Sequence, residues 1–231
     1  MVRRVLVAAA FLGSAVFAAD LPVVATHLQT GPASHVELAN TGSQTVNAWS
    51  LAITTPLGNG GAHQLVETVD AYLSEATRGV VEIPDKLNGL LPGQTREIAL
   101  DPLPPDATAR VLAVVLEDDT AMGDADTIRS IFSRRVIERD ELGRVIETFA
   151  DALGSGRGIA ALQELRRRFD VSTQEESTPH RAAREAVESY LQRVTVENAD
   201  QIDQLLRQYV ALVERQHDLA VRHSRWITSP R

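Results

Sequence analysis

Arg110-Val111-Leu112-Ala113-Val114-Val115-Leu116-Glu117-Asp118-Asp119-Thr120-Ala121-Met122-Gly123-Asp124-Ala125-Asp126-Thr127-Ile128 is the turning point of this sequence. Up to Leu116 aliphatic side chains follow one another without alternation, the pattern of a central strand covered on both faces. From Ile128 the apolar positions fall at steps of three and four instead: Ile128, Ile131 and Phe132, then Leu142, Val145, Ile146, Phe149 and Leu153. That spacing builds an amphipathic helix. Asp124 or Asp126 is placed to cap its first turn, and Gly154-Ser155-Gly156-Arg157-Gly158 ends it. The sequence therefore predicts an α+β chain, with strands over 19–123 and a helical region over 124–231.

Working back from the turning point, short β-type runs alternate with turn signals, as in a sandwich. Val23 to Leu28 stops at Gly31-Pro32. His35 to Ala39 stops at Asn40-Thr41-Gly42. Trp49, Leu51 and Ile53 share one face of the next strand, and further strands are expected at Gly79 to Ile83, Thr95 to Leu100 and Arg110 to Leu116. Ala62 to Glu75 reads either as a strand or as a strand passing into a short helix near Tyr72.

Val36-Glu37-Leu38-Ala39-Asn40-Thr41-Gly42, a strand carrying Trp49, and Leu91-Pro92-Gly93-Gln94-Thr95 leading into a further strand together resemble the small immunoglobulin-like domains of exported bacterial proteins, over residues 21–118. The resemblance implies an antiparallel β-sandwich that presents a surface or holds other domains, and it brings no catalytic residues. There is no cysteine, so Trp49 has no disulfide to pack on and is expected to fill the sandwich core.

Forward of the turning point, a shorter helix is expected around Leu162, Leu165 and Phe169, then a polar link from Ser172 to Pro179. Two more helices follow, about 179–194 and 197–225. In the last, Ile202, Leu205, Tyr209, Leu212, Gln216, Leu219, His223 and Trp226 fall at alternating steps of three and four, a coiled-coil seam that Leu206, Val213 and Ala220 widen. The seam points to packing on the other helices, on a protein partner or on a second copy. Ile202, Leu205, Tyr209, Leu212, Leu219 and Trp226 are the expected interaction residues.

At the other end, Val2-Arg3-Arg4, the apolar run Val5 to Phe17 and the exit Val16-Phe17-Ala18 have the form of a secretory signal peptide, with cleavage expected after Ala18 or Ala19. That run is too short to span a bilayer, so no transmembrane segment is expected. Export to the periplasm or the medium follows. Residues 19–123 carry 13 Asp and Glu against 4 Lys and Arg; residues 124–231 carry 18 against 17. Neither half offers the positive field that nucleic acid requires. Arg134-Arg135 and Arg166-Arg167-Arg168 read as solvated faces paired with acids such as Glu138 and Glu164; a peripheral membrane contact through them is the other reading.

Chemistry-bearing patterns are sparse. Asp118, Asp119 and Asp124 supply hard oxygen atoms of the kind calcium takes, yet a calcium loop starting at Asp118 would have Thr120, Met122 and Arg129 at ligand positions. The acidic stretch therefore reads as a turn running into a capped helix. His217 and His223 stand six apart and cannot chelate from one helix face. Gly154-Ser155-Gly156 is neither a nucleophile elbow nor a phosphate loop. No catalytic residue, metal or cofactor is expected. The reading is a non-catalytic binding or scaffold module that assembles through its last helix, with an extracytoplasmic hydrolase, its site between sandwich and helices, as the alternative.

Overall fold

A computed structural model describes residues 21–30, 33–57, 60–73, 89–101, 103–170, 178–195 and 198–226. The leader, the strand expected at Gly79 to Ile83 and nearly all of the link after Ser172 lie outside the described residues. Seven strands come first: β1 (Val23–Thr30), β2 (Ala33–Asn40), β3 (Val46–Pro56), β4 (Ala62–Asp70), β5 (Thr95–Leu100), β6 (Thr108–Leu116) and β7 (Ala121–Gly123). Four helices follow: α1 (Ala125–Ser155), α2 (Ile159–Arg168), α3 (Thr178–Arg193) and α4 (Ala199–His223). The α+β class read from the sequence is the class observed. The described residues form two compact units, one running to Ile131 and including Trp226, the other Phe132–Arg225.

In the first unit every strand pairing is antiparallel. One sheet has the order β1-β2-β5, the other β4-β3-β6-β7. The unalternating run of β6 lies between β3 and β7, the central place its composition calls for. Of the stretch Ala62 to Glu75, residues 62–73 are described and form β4 followed by a turn at Tyr72 and Leu73. Strand β7 was not foreseen, because three residues after an acidic turn carry no periodicity to read.

Alternation decides what faces inward. Val23, Val36 and Leu38 of the first sheet meet Val46, Trp49, Leu51, Ile53, Val111, Val114 and Leu116 of the second in one hydrophobic cluster. Each such side chain, once fully buried, contributes roughly 1.5–3 kcal/mol. Trp49 is 1% exposed, and the Arg96 guanidinium lies 5.2 Å from its ring centre. Arg96 shares the inward face of β5 with Ile98 and Leu100, and its Nη2 donates to the Gly89 carbonyl at 3.1 Å.

The two turns that carry the resemblance are wired to each other through Asn40. Its Nδ2 donates to the carbonyls of Gln44 and Leu90, both at 2.9 Å, and its Oδ1 accepts from the Gly42 amide. Its own amide donates to Gln94 O, and its carbonyl accepts from Gly93 N. Gly93 sits at φ +72, which the turn after Pro92 requires and glycine adopts without strain.

The second unit has its own core. Val145, Phe149 and Ala152 of α1, Leu162 and Leu165 of α2, Val187 and Leu191 of α3, and Ile202, Leu206 and Val213 of α4 form one cluster. Phe149 packs against Phe169 and Tyr209, and Tyr190 stacks on Tyr209 with centres 4.0 Å apart. Burial pushes the Tyr209 hydroxyl up to about 12, while the Tyr190 hydroxyl donates to Leu205 O at 2.8 Å.

The heptad seam of α4 is largely used inside the chain. Ile202 and Leu219 are buried, and Leu205, Tyr209 and Leu212 are half-buried. Trp226 lies past the end of α4, 40% exposed, and groups with the first unit. The buried line runs through Ile202, Leu206, Val213 and Ala220 instead. Leu206, Val213 and Ala220 keep the seam's seven-residue spacing one position further on, so the buried face is the same stripe turned toward the residues that widen it. No helix among the described residues is long and apolar enough to cross a membrane.

Candidate functional site

The head of α4 brings a helix cap and two ion pairs together. Asn198 caps the helix, its Oδ1 accepting from the amides of Asp200 and Gln201. One turn on, Asp203 points inward and is 5% exposed. Its Oδ1 accepts from the Gly158 amide at 2.7 Å and its Oδ2 from Arg157 Nε at 3.0 Å. Gly158 is the residue before α2 and has no side chain with which to cap it, so Asp203 serves as the cap from another helix. The Gly158 amide, then Arg157, hold the Asp203 carboxyl below the ordinary 3.8.

Only glycine fits at 158. Its φ is +56, and a Cβ there would stand 2.6 Å from Ala199 Cβ. The loop that the sequence reads as a flexible helix stop is thus pressed against α4. Arg157 reaches further, its Nη2 donating to Asp200 Oδ1 at 3.2 Å. Asp203, then Asp200, raise the guanidinium's proton affinity. Arg157, Asp200, Asp203, Gln204, Arg207, Gln208 and Ala211 line an open cleft of about 520 Å³.

Elsewhere in this unit, helix ends are tied by arginines. Arg166 donates from Nη2 to the Leu191 and Val194 carbonyls at 2.9 and 3.0 Å, closing the C-terminal end of α3. Fully buried Arg135 lies over Phe132 and donates to His223 O at 3.0 Å, closing α4. Arg167 and Arg168 pair with Glu164, and Arg134 with Glu138, as the spacing predicts. Arg167, then Arg168, pull the half-buried Glu164 carboxyl down to about 2. Buried Glu141 meets Arg144 and, at 3.8 Å, Arg184 of α3.

The acidic turn has local employment. Asp118 Oδ1 accepts from the Thr120 amide at 2.9 Å, and that bond lowers its proton affinity. Asp119 occupies the turn at φ +64, a conformation aspartate tolerates better than most residues. Asp124, rather than Asp126, is the cap of α1: its Oδ1 accepts from the Thr127 hydroxyl and amide at 2.7 and 2.8 Å, which lowers its proton affinity. Among the described residues no three His, Asp or Glu groups are placed to hold a metal ion. His35 lies 3.9 Å from Glu97, His217 packs beside Gly143, and the Ser155 hydroxyl donates to Ala152 O.

Sequence reasoning passed over Asp203, Arg157 and Asn198 because their partners lie far along the chain or gain meaning only once the helix start is known. With this geometry in hand, comparison with known proteins finds no matching family model, curated relative or solved structure.

Proposed function

We propose that the first unit is an immunoglobulin-like β-sandwich and that the chain is an exported envelope protein acting as a non-catalytic binding or scaffold module. The observation that carries this reading is the strand order. Orders β1-β2-β5 and β4-β3-β6-β7 correspond to strands A-B-E and C′-C-F-G of an immunoglobulin-like domain in which the fourth strand has joined the C-F-G sheet. The chain crosses between sheets after β2, after β4 and again after β5, the Greek-key route of such domains. The shared apolar cluster of the two sheets supports the same reading.

A binding role is favoured over a catalytic one by the work its ionisable groups already do. Asp203 and Asp124 cap helices, Asp118 holds a turn, and Glu164 holds two arginines. Support for export is the basic start, apolar run and small-residue exit over Met1 to Ala18. Assembly through α4 has lost its motivation, because most of the seam packs within the chain. The test is cell fractionation with N-terminal sequencing of the product. A chain starting at Ala19 or Asp20 in the periplasm or medium is expected, and a cytosolic chain retaining Met1 would overturn export. Light scattering is expected to give a monomer that Leu205→Ser, Leu212→Ser and Leu219→Ser together unfold; a dimer that they split into folded monomers would restore assembly.

A further inference from the structure

We infer that the cleft at the head of α4 binds a small polycarboxylate, held between Arg157 and Arg207. This does not depend on the sandwich or on export. The argument begins with Arg157. Its Nε is fixed by a buried carboxylate, Asp203, whose other oxygen is committed to the Gly158 amide. The guanidinium is therefore aimed before any ligand arrives, with Nε committed to Asp203 and charge-assisted hydrogen bonds to a further carboxylate left to its Nη groups. Orientation fixed in advance is ordering that binding does not have to supply.

What occupies the outer edge of that fork is itself a carboxylate. Asp200, 86% exposed, accepts from Arg157 Nη2 at 3.2 Å. An ion pair between two exposed side chains contributes little, so a ligand carboxylate can take the place of Asp200 and keep the same hydrogen-bond chemistry. Asp200 marks where that group would sit. The second cation is Arg207, exposed and one turn beyond Asp203, which it influences through space. A ligand with a second carboxylate satisfies both guanidiniums at once, and the amides of Gln204 and Gln208 on the same wall offer neutral donors between them. The volume, about 520 Å³, is that of a small-molecule site. The lining contains no aromatic ring, so nothing there selects a flat apolar ligand.

The experiment uses the full exported chain and follows the arginine Nε–Hε resonances by NMR at constant ionic strength, with glutarate, acetate and inorganic phosphate as probes. Glutarate is expected to shift Arg157 and Arg207 saturably, and acetate to bind about tenfold more weakly for want of the second contact. Arg207→Ala, which removes neither hydrogen bond of Asp203, is expected to weaken glutarate by about five- to tenfold with an unchanged circular dichroism spectrum, and Asp200→Asn to tighten it severalfold by removing the competing charge. Phosphate is expected to bind more weakly than glutarate, because it lacks a second, separate anionic group. No saturable shift, glutarate binding indifferent to both substitutions, or phosphate matching glutarate in the native chain and both variants would each overturn the site in favour of general ion screening.

Discussion

In the first unit the long-range ties between turns run through a neutral side chain, Asn40, and through main-chain amides; in the second they run through charged side chains, Arg135, Arg157, Arg166 and Asp203. Both devices answer one need, since main-chain groups at turns and helix ends must find partners once water is excluded. Antiparallel sheets leave few such groups, and one well-placed amide serves two turns. Helices leave several at each end. Here α2 and the C-terminal ends of α3 and α4 are closed by side chains borrowed from neighbours. The difference teaches that the Asn40 ties of the first unit carry no titrating group, whereas the second unit hangs one of its ties on a carboxylate, Asp203, and so exposes it to acid.

The largest expected effect tests the first half of that contrast. Trp49→Ala empties the centre of the inter-sheet core and is expected to destabilise by about 3–5 kcal/mol, read by urea unfolding, as aromatic truncations in close-packed cores do. A loss below about 1 kcal/mol would mean that the cluster, and the contrast resting on it, is misdescribed.

Asp203→Asn tests the other half. It exchanges a carboxylate that accepts two hydrogen bonds for an amide that can accept through one atom, with an expected loss of about 1–3 kcal/mol at neutral pH. The native carboxyl titrates below the unfolded value of 3.8, so its contribution is complete above that value and disappears as pH falls through the lower, folded one. The gap between native chain and variant should thus stay constant down to about pH 4 and close below it. A gap that is already closed at pH 6 would break the assignment of Asp203 as a charged cap.

Asp124→Ala removes a conventional cap, at an expected loss of about 1 kcal/mol in thermal unfolding, and Asp124→Asn should recover most of it. A loss that Asn does not recover would show that charge, not capping geometry, matters at the start of α1. Smallest of all is Glu164→Gln. Although two arginines hold this carboxyl at about 2, the group lies at the surface with Arg167 exposed and Glu164 and Arg168 half-buried, so a change in melting temperature of no more than about a degree is expected at 0.15 M salt. A clear drop would mean that the Arg167 and Arg168 pairs are shielded from solvent.

The sequence disclosed what depends on neighbours close along the chain. Alternation in β2 and β3, continuous apolar character in β6, and the Asn40 and Pro92-Gly93 turns all appear as local patterns, and so does the pairing of Glu164 with residues three and four places on. The stripe of α4 was legible as a stripe, although its centre lies closer to Leu206 and Val213 than to Leu205 and Leu212, because both lines share one period and only the helices packed against α4 choose between them. The ties between helices were not legible. Arg157 and Asp203 are 46 residues apart, Arg166 and Leu191 25, and Arg135 and His223 88. An arginine that will close a distant helix reads, in the sequence, like any solvated arginine. Arg166 was grouped with Arg167 and Arg168 for that reason, and the cleft at the head of α4 was invisible for the same one.

The bond from Arg135 to the His223 carbonyl also makes the helical unit a closed excursion of the chain. Path in and path out are joined at 3.0 Å, three residues after Phe132 and two before Arg225. Segments whose ends meet in this way can be reopened elsewhere without disturbing their packing. A circular permutant of Phe132–Arg225, its old ends joined by a short Gly-Ser bridge and new ones cut between α2 and α3, should keep the order of its helices in space while reversing which of them is made first.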